Sequence, residues 1–201
     1  LVGSEMCIRD RIKRLNPRWG IETPSIPYLG YGQAAELSMH GTPVLHPATV
    51  KPLIKHGIPL EIKNFHNPNA TAPTVVIQDS KTVAIGCQPG VAIISEDKPL
   101  GSELLAKIEQ SGITPWLVNS TPEATKIVIP IHDLGQIEQF ICGKIEYRTA
   151  IATVVGKFDI NIQHEIISKN EYGTRMIIDS TNLSETLSEL YHSLFSLQDC
   201  M

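Results

Sequence analysis

The sequence has few cysteines, and this excludes two common kinds of small, stabilised domain. Only four occur in 201 residues, at positions 7, 87, 142 and 200, and no two form a C-x-x-C pair. The spacing therefore gives little support to a zinc site or a disulfide framework. The seven histidines are spread over several predicted elements and none stands in an H-E-x-x-H motif, so no metal site is expected. We expect reduced thiols in a cytoplasmic protein.

A marked excess of positive charge and long hydrophobic runs are also absent. The chain has 17 Lys and Arg against 21 Asp and Glu, and the basic residues are scattered. This distribution lacks the basic surface that nucleic-acid binding requires. No apolar run approaches the roughly 20 residues that a membrane-spanning helix needs. We expect neither a nucleic acid nor a membrane as partner.

The hydrophobic content of 42% is enough for a buried core. The first residues, LVGSEMCIRDR, show no periodicity and no helix cap, and they resemble a translated adapter sequence. We therefore predict a non-native leader at residues 1–11 and leave it out of the fold.

Residues 12–72 show the pattern of two helices and a strand. The spacing predicts a helix over Gln33–Met39 and another over His46–His56, where Gly57 supplies a left-handed C-terminal residue. A strand is predicted over 59–65, and the sequence HNPNATAP then breaks the pattern. We place a domain boundary there, before residue 73.

Beyond residue 73 the apolar periodicity alternates between that of strands and that of helices, which predicts an α+β fold. The predicted strands are 82–87, 90–95, 114–119, 125–131, 145–155, 160–167 and 173–179, and the predicted helices are 99–111, a short one from Leu134, and 183–195.

An internal repeat is visible in this region. Residues 49 positions apart match in type, as Ile113 does with Ile162, and the further pairs are Leu117 with Ile166, Val118 with Ile167, Thr125 with Thr174, Lys126 with Arg175, Ile127 with Met176, and Leu134 with Leu183. The repeat predicts two copies of one β-β-α unit. Because Val155 lies much closer to Ile162 than Ile94 lies to Ile113, the second copy has no room for a counterpart of helix 99–111.

Residues 34–68 resemble the end of the aspartate kinase catalytic domain, which has a similar helix, a V-L-H-P turn like that at 44–47, and a loop like N-F-H-N-P at 64–68. The repeat that follows is similar to the paired βαββαβ units of the ACT type in that family. The resemblance implies a kinase-domain remnant at 12–72, one ferredoxin-like ACT-type unit at 73–144, and a second at 145–201 that lacks a helix.

The family uses ATP and Mg²⁺ to phosphorylate the side-chain carboxylate of aspartate. Its K-F-G-G phosphate-binding strand is absent here, and Gly41, Thr42 and Pro43 stand where a lysine usually precedes V-L-H-P. The family's D-P-R motif stands here as Asn16-Pro17-Arg18, so the resemblance leaves Arg18 as the one nucleotide-binding candidate. Since phosphoryl transfer requires several groups at once, we expect no catalytic residue, no bound cofactor and no activity in this chain alone.

The resemblance implies that an amino-acid effector of the lysine or threonine type binds the ACT-type units, which are also expected to form a homodimer. The family binds effectors at the turn after the first strand and at the facing second strand. Backbone N–H groups at the helix start would hold the carboxylate, and Glu96 or Asp97 the ammonium group. The candidate residues are Ser95, Glu96, Asp97, Gly101, Leu117, Val118, Asn119 and Ser120.

Simpler interpretations remain open. Residues 95–101 also fit an ordinary strand-to-helix turn, and residues 119–121 fit a strand end before Pro122. For the whole chain, the alternatives to a kinase fragment are a free-standing ACT-type module that binds an amino acid or only dimerises, and an incompletely folded product.

Overall fold

The computed structural model describes residues 11–39, 47–63, 72–158 and 164–195. Strands and helices are mixed along the chain and form one small and one large sheet. The predicted α+β class is confirmed.

The small sheet is built from the first part of the chain. Its central strand β3 pairs with β1 in parallel and with β2 in antiparallel orientation. Both predicted helices are present, although His46 lies outside the described residues. Gly57, with a φ of 61°, follows the second helix as predicted. The elements are β1 (Tyr28–Gly30), α1 (Tyr31–Met39), α2 (Pro47–His56), β2 (Leu60–Ile62) and β3 (Thr74–Ile77).

The large sheet has six strands in the order β5-β6-β4-β7-β9-β8, and every neighbouring pair is antiparallel. Three helices accompany these strands along the chain. The elements are β4 (Ala84–Asp97), α3 (Lys98–Gln110), β5 (Leu117–Ser120), β6 (Ala124–Pro130), α4 (Leu134–Ile137), β7 (Lys144–Val155), β8 (Glu165–Lys169), β9 (Gly173–Asp179) and α5 (Leu183–Phe195).

The large sheet contains two ferredoxin-like units that share strands. From β4 to β7 the chain runs βαββαβ with the spatial order β7-β4-β6-β5, and we call this the first unit. The second unit consists of β7, β8, β9 and α5, and the first half of β4 lies in the place of its fourth strand. The predicted boundary at 144/145 therefore coincides with the start of a strand that both units use.

A β-bulge in β4 explains how one strand serves two units. Pro89 pairs with Ala150 and Val91 with Thr149, which leaves Gly90, at a φ of 72°, as an extra residue. The prediction of two separate strands at 82–87 and 90–95 was wrong, because one strand continues through Gln88, Pro89 and Gly90 by means of this bulge. The bulge inverts the alternation of side chains, so that Ile85 and Ile94 lie on the same face of the sheet.

This face carries the helices. Under α5, residues of β4, β7 and β9 form one apolar cluster with Leu15, and under α3 and α4 residues of β4 and β6 form another. Only positions 156–164 separate β7 from β8, which is too few for a helix of 13 residues like α3.

The opposite face is buried although none of these three helices covers it. Lys126 of β6 pairs with Glu165 of β8, and in a flat sheet four strand spacings, roughly 19 Å, would separate these two strands. The sheet therefore curls, and we call its inner side the concave face. Its buried apolar cluster consists of Val91, Ile93, Val128, Ile151 and Ile167.

Candidate effector site

A cavity of about 320 Å³ lies where β4 ends and α3 begins. Three residues predicted for effector binding, Ser95, Glu96 and Asp97, line it. The other lining residues are Leu100, Ala124, Cys142, Gly143 and Lys144. The neighbours follow from strand pairing, because Ser95 is opposite Lys144 on β7 and Asp97 is opposite Ala124 on β6.

Glu96 holds one wall of this cavity in place. Its side chain is buried, and its Oε1 accepts hydrogen bonds from the backbone N–H groups of Cys142 and Gly143, both at 2.7 Å. Bonds of this kind to a charged acceptor are among the stronger ones in proteins. Glu96 therefore fixes the loop before β7, and its carboxylate already has partners.

Asp97 differs from its neighbour because its side chain is exposed. It precedes the first residue of α3 but forms no side-chain capping bond there. The N-terminus of this 13-residue helix carries partial positive charge, and Lys144 adds a positive side chain that lies 3.1 Å from Glu146. The cavity thus combines one accessible carboxylate with positive groups.

Two glycines allow close backbone approaches around the cavity. A Cβ atom on Gly143 would lie 2.0 Å from the carbonyl oxygen of Ser95, and one on Gly101 would lie 2.5 Å from Cβ of Thr125. Gly143 lets the loop pass beside β4. Gly101, a predicted effector residue, does not line the cavity but lets α3 pack closely on β6.

The predicted residues on β5 lie apart from the cavity. Leu117, Val118, Asn119 and Ser120 form an edge strand that pairs only with β6 within the described residues. Ser120 Oγ lies 3.2 Å from Thr125 Oγ1, and Val118 is exposed. The structure brings together the β4 part of the predicted site and leaves the β5 part at the sheet edge.

Comparisons with known proteins agree with this architecture. No family model matches the chain. A 60-residue stretch, 30% of this chain, is 43% identical to aspartokinase 2, chloroplastic, of Arabidopsis thaliana and covers 11% of that protein. A longer stretch of 116 residues, 52% of this chain, is 31% identical to aspartokinase 3 of Bacillus subtilis and covers 26% of it.

The chain is related to the aspartate kinases.

Solved aspartate kinase structures share its fold over nearly the whole length. The Clostridium acetobutylicum enzyme matches with a TM-score of 0.77 and 19% identity, covering 93% of this chain and 53% of that one. Escherichia coli aspartokinase III, in complex with lysine and aspartate, gives 0.74 and 16%, covering 94% and 50%. This aspartate kinase relative therefore spans about half of each solved chain and a smaller part of the two proteins matched by sequence.

Arg18, the nucleotide-binding candidate carried over from the aspartate kinases, has structural contacts. Its Nη2 donates to the carbonyl oxygen of Cys87 at 3.2 Å, and its guanidinium lies 4.4 Å from the centre of the Trp19 ring. The side-chain oxygen of Asn16 accepts a hydrogen bond from the backbone N–H of Arg18. Arg18 thus attaches the segment before β1 to β4, and its role toward a nucleotide stays a prediction.

Sequence reasoning missed the far wall of the cavity, residues 142–144. The signal was present in the pair Cys142-Gly143 directly before a predicted strand, since a glycine there often marks a close backbone approach. Cys142 is exposed, whereas burial raises the pKa of the Cys87 thiol to about 12. The two thiols therefore differ strongly in expected reactivity.

The described residues offer neither a metal-binding cluster nor a membrane-spanning helix. No group of three or more His, Cys, Asp or Glu side chains with metal-binding geometry occurs among them. None of the described helices is long and apolar enough to cross a membrane.

Proposed function

We propose that this chain is a C-terminal regulatory region of an aspartate kinase and that it senses a small amino acid at the cavity beside Asp97. The observation that carries the proposal is the cavity itself, at the strand-to-helix turn of the first unit, in a fold that matches aspartate kinases at a TM-score of 0.77. Its volume of about 320 Å³ suits a small ligand.

The charges around the cavity favour a zwitterion. Asp97 would pair with the ammonium group, and the first N–H groups of α3 together with Lys144 would bind the carboxylate. Leu100 offers apolar contact to an aliphatic side chain. The lysine in the complex of the related Escherichia coli enzyme supports an amino-acid effector, which we propose to be of the lysine or threonine type.

We further propose that two copies of the chain associate through β5. This edge carries no charged residue and no bulge, and it presents the exposed side chain of Val118. The opposite edge, β8, carries Glu165 and Lys169 and has a register shift, features that protect an edge from pairing. Pairing at β5 would add a second strand next to Leu117–Ser120, the part of the predicted site that lies outside the cavity.

The resemblance to aspartate kinases assigns phosphate binding to a K-F-G-G strand, a motif that does not occur in the given sequence. We propose that the chain binds neither ATP nor Mg²⁺ productively by itself and requires a catalytic region for activity. The exposed free thiol of Cys142 suits a reducing compartment, so we place the protein in the cytoplasm.

The second candidate function is an ACT-type module that only dimerises. The observation in its favour is that Glu96, one of the two acidic residues in the cavity, is already occupied by backbone N–H groups. In that case residues 95–101 form only a strand-to-helix turn, and the cavity beside it binds no amino acid.

Isothermal titration of residues 12–201 with L-lysine, L-threonine and L-methionine separates the two functions, with light scattering to measure the mass. We expect saturable binding by a dimer, and at least tenfold weaker binding in Asp97→Ala because one charge-assisted contact is lost. Glu109→Ala, which removes an exposed carboxylate from the far end of α3, should bind normally. A folded dimer that binds none of the three amino acids would establish the dimerisation module instead.

Cys142 provides an independent readout of the same site. In a Cys7→Ser, Cys200→Ser background, Cys142 should react with a thiol reagent while buried Cys87 does not. A bound amino acid should slow the reaction of Cys142, and unchanged labelling at saturation would place the ligand elsewhere.

A further inference from the structure

Helix α1 contacts the concave face through a buried ion pair. Glu36 of α1 binds Nη2 of Arg175 on β9, 139 positions away, and the two side chains are only 10% and 8% exposed. Arg175 Nη1 donates to Ser168 Oγ at 2.9 Å, and Asn170 Nδ2 donates to the second oxygen of Glu36 at 2.7 Å. One acidic residue of α1 is thus bound by the β8–β9 hairpin.

The turn of this hairpin also fits α1 sterically. A Cβ atom on Gly32 would lie 2.2 Å from Cδ1 of Tyr172, so a larger residue there would push the ring away from the helix. Asn170 Oδ1 accepts hydrogen bonds from the backbone N–H groups of Tyr172 and Gly173, both at 2.9 Å. The turn is therefore preformed for this contact.

The same helix holds the small sheet. Gln33 Oε1 accepts a hydrogen bond from the backbone N–H of Gly30 at 2.8 Å, and its Nε2 donates to the carbonyl oxygens of Ser80 and Thr82 at 3.2 and 2.8 Å. Gly30 ends β1, whereas residues 80 and 82 belong to the connection between β3 and β4. Helix α1 consequently joins the small sheet to the large one.

Some polar atoms around this ion pair have no hydrogen-bond partner. Arg175 Nε and Thr153 Oγ1 are buried without a hydrogen-bond partner, and these two residues are opposite each other on β9 and β7. Burial also lowers the pKa of the Arg175 guanidinium, although an arginine keeps its charge at neutral pH. Desolvation largely offsets the attraction in a buried ion pair, so such a contact specifies geometry more than it adds stability.

We infer that the Glu36–Arg175 contact is a releasable latch: α1 and the small sheet leave the concave face as a unit, and this ion pair sets how often they do so. The interface also has an apolar part, in which Ala84 and Val155 of the large sheet pack with Ala34 and Leu37 of α1, but the ion pair is the contact that depends on one charge on each side. Losing either charge leaves the other buried and unpaired, which favours the open arrangement. The inference holds whether or not the cavity beside Asp97 binds an amino acid.

Hydrogen exchange on the whole chain, read by mass spectrometry, tests the latch. In Glu36→Gln and in Arg175→Met, we expect exchange in residues 28–39 and 170–173 to be at least tenfold faster, with 91–97 and 124–130 unchanged. Arg175→Lys should be intermediate, because one ammonium group cannot serve both Ser168 and Glu36 as the guanidinium fork does. Lys126→Met is the matched control, since it removes a basic residue at the repeat-equivalent position whose partner Glu165 is exposed.

Three results would overturn the latch. The first is unchanged exchange in α1 of both single variants. The second is equal acceleration in every segment, which means that the pair supports the whole fold rather than one contact. The third is additive acceleration in the Glu36→Gln, Arg175→Met double variant, because two residues that act through one contact should give no more effect together than the larger one gives alone.

Discussion

The two units of the large sheet follow the same chain order, yet the C-terminal end of the first strand differs between them. This end is open in the first unit and covered by other residues in the second. In the first unit, the end of β4 lines the cavity beside Asp97. In the second unit, the corresponding end of β7 packs against the small-sheet region, where Val155 joins a cluster with Leu29, Tyr31 and Leu37. The same strand end therefore lines a cavity in one copy of the unit and a packed contact in the other.

Lys126 and Arg175, which are equivalent in the repeat, also differ in what surrounds them in the two units. Both occupy the concave face, but Lys126 pairs with a half-exposed carboxylate whereas Arg175 pairs with a buried one. Lys126 connects the two units to each other, and Arg175 connects the second unit to α1. Two basic residues that match in the repeat thus have different structural roles.

The second unit also builds its core differently, because it has no counterpart of α3. Its apolar cluster includes Leu15, which is fully buried and bridges to Ile85 of β4. Trp19, Ile21 and Phe158 pack against the same cluster. We infer that the segment before β1 supplies apolar surface that a helix supplies in the first unit.

The largest expected effect tests whether the segment before β1 supplies part of the core of the second unit. Leu15→Ala should lower the free energy of unfolding by about 3 kcal/mol, because it leaves a cavity under α5. Leu104→Ala, on α3 of the first unit, is the matched control and should cost a similar amount, since both side chains are buried in an apolar cluster. Urea denaturation followed by circular dichroism measures both. A cost below about 1 kcal/mol for Leu15→Ala would show that the segment is not part of the core.

The next effect concerns the two strand ends themselves. Gly143→Ala should destabilise the first unit by about 2 kcal/mol, since its Cβ would collide with the Ser95 carbonyl oxygen at 2.0 Å. Gly156→Ala should cost at least as much in the second unit, where the φ of 96° is strained for alanine and Thr82 O lies 2.3 Å from the new atom.

Gly135→Ala, in α4, is the control for both substitutions. No atom lies within 4 Å of its Cβ position, and alanine favours a helix, so stability should be unchanged or slightly raised. Thermal unfolding of the three variants gives the comparison. If Gly143→Ala is as stable as Gly135→Ala, the loop at 142–144 does not approach β4 as described.

Local patterns predicted the elements of this fold well, because apolar periodicity and turn residues act over short distances. The repeat spacing correctly pointed to matching strands, since Ile127 and Met176 are both fully buried on the helical face of the sheet. The predicted break between residues 87 and 90 was wrong, because a proline and a glycine at a bulge have the same sequence signature as they have at a turn.

Contacts between distant segments escaped prediction for a different reason. Glu36 stands in a predicted helix and Arg175 in a predicted strand, and nothing in either pattern indicates that they meet. The wall of the cavity at 142–144 depends likewise on the pairing of β4 with β7, which follows from the order of strands and not from local sequence. The residues that the sequence singled out at 95–97 form one wall of the cavity, whereas the residues opposite were not predicted, and a role of this wall in effector binding stays a prediction.

The smallest expected effect is at the exposed counterpart of the latch. Glu165→Gln should change the free energy of unfolding by only about 0.5 kcal/mol, because Glu165 is 52% exposed and water screens its attraction to Lys126. The loss should disappear in 1 M salt, where the Debye length is only about 3 Å. Urea denaturation at low and high salt measures both values. A salt-insensitive loss above about 2 kcal/mol would mean that the concave face excludes water around Lys126 as it does around Arg175, and the contrast between the two units would then lie in their partners rather than in their burial.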